Sequence, residues 1–397
     1  RQSLEAAGDS CRRRYVILGS ANEASEIAMT TSNLLDHFAA LEDPRQSWKT
    51  LYPLDEILLI VLGGVMAGAD DFVEISLWGR RKLDWLRRFR PFEHGVPSHD
   101  TLNDVMNALP NDLFAECFTT WVAGLREDDA DIVAIDGKTS RRAHGADGRP
   151  LHLVSAWAAR QRLVLGQERC ATKENEISAI PRLLERLELR GALVTIDAMG
   201  CQHGIADTII KRGADYLLAL KSNQKSLHAE VAMYFDQATD LACHETTDAD
   251  HGRVETRRAW VSYDVDWLRP DRAEPGIHRF PGLAAIGMVE ATVEHKGQTS
   301  VARRYFLSSA PLSAAALLHA TRAHWGVENR LHWVMDVVFH DDLMRLRTNH
   351  GPANMALIRH TALNIFKNIT SKISLKNRRK LAAWDDAYLF STITGHQ

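Results

Sequence analysis

Several features that would settle a function class at once are scarce in this sequence. Its five cysteines (Cys11, Cys117, Cys170, Cys201 and Cys243) are scattered without a C-x-x-C pair. That argues against a structural zinc site or a secreted disulfide framework and makes a reducing cytoplasm the default. Neither sign of charge prevails: 48 basic against 51 acidic residues leave a formal net charge of -3. Global electrostatics therefore gives no hint of nucleic acid, and any basic surface has to be local. The apolar run LLIVLGGVMAGA (58–69) has twelve residues, too few to span a bilayer, and reads as a core helix. No membrane partner is expected. Neither G-x-G-x-x-G nor G-x-x-x-x-G-K-[ST] occurs, which removes the common nucleotide-binding fingerprints. There is no internal repeat. What remains is ordinary, 397 residues of which 45% are hydrophobic and 25% charged, the make-up of a globular chain of two or three domains.

Hydrophobic periodicity divides the chain. Residues 1–28 show no sustained period, whereas Met29 opens a capped amphipathic segment. The first 28 residues are therefore expected to be a non-native or disordered leader, with translation beginning at Met29. From 29 to 127, apolar residues recur at three- and four-residue steps and predict an all-helical domain of four or five helices, with start signals at Ser98 and Pro110. After about residue 128 the texture changes. DIVAID, LHLVSAWA (151–158) and RLVLGQERC (162–170) read as strands, and helix then alternates with strand through ALVTID (192–197) and DYLLALK (215–221). The order β-β-β-α-β-α-β matches the ribonuclease-H-like fold, a mixed sheet with helices on its faces. The core would run over 128–225, be interrupted by an inserted α/β subdomain at 226–302, resume over 303–372 and end in a tail at 373–397.

In VAIDGKT an apolar, β-branched strand ends in Asp136, and LVTIDAMG repeats that grammar at Asp197. Asp-Gly is most often a hairpin turn, but thirteen polar residues follow where a return strand should begin. Either aspartate alone reads first as a cap of the next turn. Two in the same fold position make coincidence less attractive, because the carboxyl ends of strands are where ligands sit in open α/β sheets. Paired acids there can hold Mg²⁺, and two such ions about 4 Å apart would stabilise both oxygens of a phosphoryl transfer.

VAIDGKTSRRA, LVTIDAMGCQHGIADTI, GADYLLALKSNQ, HGRVETR and AHWGVENRLHWVMDVVFHDD together resemble the DDE transposases of bacterial insertion sequences, in particular the ISAs-type group that includes the H-repeat-associated proteins. LEDPR (41–45) and PSHDT (97–101) resemble that group's N-terminal region, so the likeness runs from about Met29 to about Lys372. It implies an enzyme that cuts the ends of its own element and joins them to target DNA. The implied site is Asp136, Asp197 and Glu328 as catalytic and metal-binding acids. Two Mg²⁺ ions are implied, replaceable by Mn²⁺, with double-stranded DNA as partner, a homodimer on that DNA, and a place in the bacterial cytoplasm at the nucleoid. The third-acid motif of the wider group, Tyr, Arg, Glu and Lys at set spacings, meets Thr321, His324, Glu328 and Met335 here. Only the Glu survives, leaving the DNA-gripping roles of the Arg and Lys unassigned.

His324, Asn329, Arg330 and His332 are candidates for those roles, each reading first as a surface or core residue. Lys138 and Lys221 flank the acidic edge and would either touch the scissile phosphate or neutralise the acids. Arg253 and Arg257 share one face of a strand with Glu255, in either a solvated ion-pair ladder or a phosphate contact. GRRKLDWLRRFR (79–90) carries six cations on a helix with Trp78, Trp85 and Phe89, a solvated face over a buried stripe or a DNA-backbone contact. For the third acid, a 100° turn per residue sets Glu328 and His332 on one helical face and Asp336 partly aside. Asp336 is then expected to pair with Arg330 or Arg345, while Asp341 and Asp342 fall past the helix end. Two other readings stay open, a catalytically inactive DNA-binding remnant of an element and an actin-like kinase using D-G-K-T as a phosphate loop.

Overall fold

Apolar residues at helical spacing become six N-terminal helices, covering residues 34–39 (α1), Leu54–Met66 (α2), Phe72–Arg81 (α3), Leu83–Leu86 (α4), His99–Ala108 (α5) and Asn111–Ala123 (α6). The computed structural model describes residues 34–395 apart from 128, 145–147, 171–174, 251 and 269–279, so the expectation for residues 1–28 lies outside the described residues. α2 is the apolar run seen in the sequence, and it is buried almost throughout. Ser98 caps α5 by accepting the Thr101 amide hydrogen at 3.2 Å, and Pro110 precedes α6. The cationic segment 79–90 is not one helix, because the chain breaks at Lys82 between α3 and α4. Trp85 and Phe89 pack together with ring centroids 4.9 Å apart, and Phe89 lies the same distance from Phe390.

The next elements are β1 (Ile132–His144), β2 (Pro150–Ala158), β3 (Leu163–Arg169), α7 (Glu176–Arg186), β4 (Leu193–Ile196), α8 (His203–Lys211) and β5 (Asp215–Leu220). This is the expected β-β-β-α-β-α-β order. After α9 (Lys225–Gln237) come β6 (Cys243–Asp250), β7 (Arg253–Ser262), β8 (Ala285–His295) and β9 (Gln298–Ser308). All nine strands form one mixed sheet in the order β3-β2-β1-β4-β5-β9-β8-β7-β6. The block read as an insertion, 226–302, thus prolongs the sheet: its β8 pairs with β9, whose residues 305–308, in the segment read as resumed core, pair antiparallel with β5.

Alternation along β5 shows that the sheet is covered on both faces. Leu217 and Ala219 join a cluster with Leu317 and Leu318, which belong to α10 (Ala314–His324). Tyr216, Leu218 and Leu220 enter the main core. Beyond α10 lie a π-helical turn (Glu328–His332), α11 (Trp333–Val337) and the nearly fully buried α12 (Gly351–Asn368). Asn354 of α12 donates to the carbonyls of Met106 and Leu109 at 2.9 and 2.8 Å and accepts from Asn111 at 2.9 Å, while Asn364 of the same helix bonds both the amide and the carbonyl of Val164 on β3 at 2.9 Å, so α12 joins sheet and N-terminal helices. The segment read as a tail folds into α13 (Leu375–Trp384) and α14 (Asp386–Thr394). It packs back on the N-terminal helices, with Arg379 donating to the Val65 carbonyl at 2.9 Å.

Candidate active site

β1 and β4 run parallel, in register from Ile132↔Leu193 to Ile135↔Ile196. The next residue on each strand is the aspartate, so Asp136 and Asp197 emerge side by side where that pairing ends. One expectation is corrected: Asp136 does not end its strand. β1 continues through GKTSRRAH, paired with β2 to His144↔Pro150. Of the polar residues that had spoken against a return strand, 138–144 continue β1 and Pro150 opens β2. β4 does stop at Ile196, and Asp197 Oδ1 accepts from the Met199 amide at 3.0 Å. Its capping role is therefore present too.

The third acid arrives on the π turn. A π segment inserts extra backbone into a helix and recurs at functional sites. Here Glu328 and His332 stand over one another, with His332 Nδ1 3.5 Å from Glu328 Oε2 and 3.5 Å from Asp136 Oδ2. The shared face expected for residues 328 and 332 is thus present. His332 is only 6% exposed and Glu328 keeps its side chain 53% open to solvent. Candidate ligand atoms of Asp136, Glu328 and His332 lie within 4.8 Å of one another.

Burial pushes the Asp136 carboxyl up to about 7, with the charges of Glu328, Asp197 and Glu176 adding to the rise and a hydrogen bond from the Gly137 amide opposing it. Burial likewise pushes the His332 imidazole below its ordinary value, against the pull of Glu328. Among the described residues no lysine or arginine pairs with Asp136 or Glu328, which leaves a site short of positive charge that an oxygen-ligated divalent metal would supply.

Lys138 does not supply it. Its ammonium pairs with Asp336, and with Asp341 at 3.2 Å. Burial works against its charge, but the Asp341 and Asp336 carboxylates hold its pKa above the usual lysine value. The expectation that Asp336 pairs with Arg330 or Arg345 is therefore corrected to Lys138, on the neighbouring strand. His324 is half-buried below the acids, with Nδ1 3.0 Å from Thr195 Oγ1. Lys221, Asn329 and Arg330 are exposed. Arg253 and Arg257 lie on β7 as expected and already meet acids: Arg253 with Glu255 at 3.1 Å, Arg257 with Glu255 at 2.7 Å and with Asp248 at 2.8 Å.

Sequence reading missed a second arrangement beside Asp136. His152 Nε2 lies 2.7 Å from Glu176 Oε1, and its Nδ1 2.7 Å from Thr139 Oγ1. Glu176 and His152 close over Gly137 so tightly that a Cβ there would sit 2.1 Å from Glu176 Oε1. The glycine after Asp136, read as a possible turn signal, instead makes room for this pair. No local pattern marks His152 or Glu176, because one comes from β2 and the other from the start of α7 and they meet over Gly137 only in the fold.

The "Transposase DDE domain" family matches residues 127–365, and its associated domain ("DDE_Tnp_1-associated") matches residues 35–122. The chain belongs to the DDE transposase family. Among its relatives is the "H repeat-associated putative transposase YhhI" of Escherichia coli (strain K12), 36% identical over 379 residues, spanning 92% of this chain and 99% of that protein. The "Uncharacterized protein in dhlA 3'region" of Xanthobacter autotrophicus is 42% identical over 281 residues, 68% of this chain and 92% of that protein. A cryo-EM structure of the piggyBac transposase synaptic complex with hairpin DNA aligns with a TM-score of 0.43 at 11% identity, over 94% of this chain and 79% of that one. DDE transposases work with a divalent metal, and the acidic cluster of this transposase is suited to one. Among the described residues no helix is long and apolar enough to cross a membrane.

Proposed function

We propose that this transposase cleaves DNA at the ends of its own insertion sequence and joins them to target DNA, with Asp136, Asp197 and Glu328 as the metal-binding acids on a ribonuclease-H-like core. The observation that carries the reading is the β1–β4 register, which sets Asp136 beside Asp197 where the parallel pairing ends, with Glu328 brought in by the π turn. Bound to these carboxylates, Mg²⁺ or Mn²⁺ would supply Lewis-acid stabilisation of the attacking and leaving oxygens. In the first transfer a water oxygen bonds to the scissile phosphorus and the 3′ oxygen leaves with a proton. In the second, the freed 3′ hydroxyl oxygen bonds to a target phosphorus and gives up its proton, while the target strand's own 3′ oxygen leaves and takes one up. Asp136 and Asp197 are fixed by the sheet, while the exposure of Glu328 leaves it open to DNA. Affinity for DNA would come from phosphate contacts spread over the surface, Lys221 and Arg330 among them, on a homodimer. The test uses Asp136→Asn and Asp197→Asn with DNA carrying the element's ends. Each variant should lose cleavage by more than about 100-fold, beyond the usual cost of losing an outer-shell partner, while still binding the DNA ends. Cleavage at the wild-type rate by either variant refutes the assignment.

A further inference from the structure

A buried histidine stands among the acids. His332 is buried to 6% exposure and comes from the same turn as Glu328, with Nδ1 equidistant from a carboxylate oxygen of Glu328 and one of Asp136, 3.5 Å from each. That is longer than the usual N–H···O hydrogen bond, so no strong direct bond accounts for the position. It is close to the spacing of neighbouring ligands on one ion, since donors about 2.1 Å from a metal stand about 3 Å apart in an octahedron. The far side of the ring fits the same role. Nε2 is buried with no hydrogen-bond partner in the protein. His332 also lines a small cavity whose wall includes Ser140, Ser155, Asp341 and His360, and His360 Nδ1 is likewise buried without a partner. Leu153, Met335 and Ala356 also line it, and the space is of a size for one water, which would accept from Nε2–H and donate to His360. A histidine ligand commonly donates its second ring N–H in this way, which fixes the tautomer and leaves the other nitrogen free for the metal.

Resting on the function proposed above, we infer that His332 is a fourth ligand, binding the ion shared by Asp136 and Glu328 through Nδ1. One position of the site is then nitrogen rather than oxygen. An imidazole nitrogen is tolerated better by Mn²⁺ than by Mg²⁺, whose preference is for oxygen, so the residue would tune metal choice as well as hold the ion.

The experiment uses the full chain loaded with Mn²⁺ and read by electron spin echo envelope modulation, alongside Mn²⁺ and Mg²⁺ binding by calorimetry. The wild type should show the coupling of a directly bound ¹⁴N. His332→Gln should lose that coupling and bind Mn²⁺ roughly 10-fold more weakly, with a smaller change for Mg²⁺. His332→Asp, which restores an acidic donor, should recover affinity without the nitrogen signal. If Mn²⁺ binds the wild type and is lost in Asp136→Asn but shows no ¹⁴N coupling, this inference fails and the proposed metal site stands. If Mn²⁺ does not bind, or binds Asp136→Asn as well as wild type, both fail.

Discussion

Two groups of acids lie within a few residues of one another around α11, and they are built on opposite electrostatic terms. Asp136 and Glu328, with His332 between them, meet no lysine or arginine among the described residues, and burial with mutual repulsion lifts the Asp136 carboxyl to about 7. Asp336, Asp341 and Asp342 cluster as closely, yet the first two share the Lys138 ammonium and Asp341 takes the Arg359 guanidinium at 2.7 Å. Burial pushes the Asp341 carboxyl upward, but Arg359 and Lys138 outweigh it and hold the pKa below the usual carboxylate value. Proximity of carboxylates is thus common to both clusters and decides nothing. What differs is whether the protein neutralises them itself or leaves that to something bound.

The largest contrast should come from exchanging one acid in each group for its amide. Glu328→Gln should abolish cleavage with thermal stability intact, whereas Asp336→Asn should keep cleavage and cost about 1–2 kcal/mol by depriving Lys138 of a partner. The reverse pattern would transfer the metal role to Asp336. Next in size, Arg359→Met leaves Asp341 buried with Lys138 and the Ser140 hydroxyl, and should destabilise the fold by about 3–5 kcal/mol in denaturant titration. An unchanged midpoint would show that Arg359 is not what neutralises the second cluster.

The smallest effect is a pair of opposite pH slopes. The Asp136 pKa is raised from 3.8 to about 7 in the folded state, so its contribution to stability is complete below pH 3.8 and is lost as pH rises through 7. The Asp341 pKa is lowered from 3.8, so its contribution is present above pH 3.8 and is lost as pH falls through the depressed folded value. Without metal, Asp136→Asn should flatten the decline in melting temperature between pH 4 and 7. Mg²⁺ should raise the melting temperature more at pH 8 than at pH 5, because ligands must be deprotonated to bind. A Mg²⁺ effect independent of pH would contradict the shift at Asp136.

The two strand-borne acids were legible because sequence periodicity and parallel register carry the same information: an apolar run of fixed direction ending in Asp, twice. The overrun of β1 past Asp136 was not. GKTSRRAH lacks the apolar face by which a strand is recognised, and its conformation comes from pairing with β2. β6 was invisible for a similar reason, since CHETTDAD is polar and exposed and depends on β7 for its ladder. The shared face of Glu328 and His332 followed from helical spacing, but the π turn beneath it has no residue signature. The partner of Asp336 was misjudged because Arg330 and Arg345 are near in sequence, whereas Lys138 is 198 residues away and near in space.

The placement of α12 bears on the timing of synthesis. Asn354 completes hydrogen bonds with groups around Asn111, 243 residues earlier in the chain. At about 5–20 residues per second, the N-terminal helices wait roughly 12–50 s after leaving the ribosome before the helix they enclose exists. During that interval they carry an uncovered apolar surface. A chain terminated before residue 351 would leave that surface open permanently, so early termination should yield aggregates or degradation products rather than a stable DNA-binding fragment.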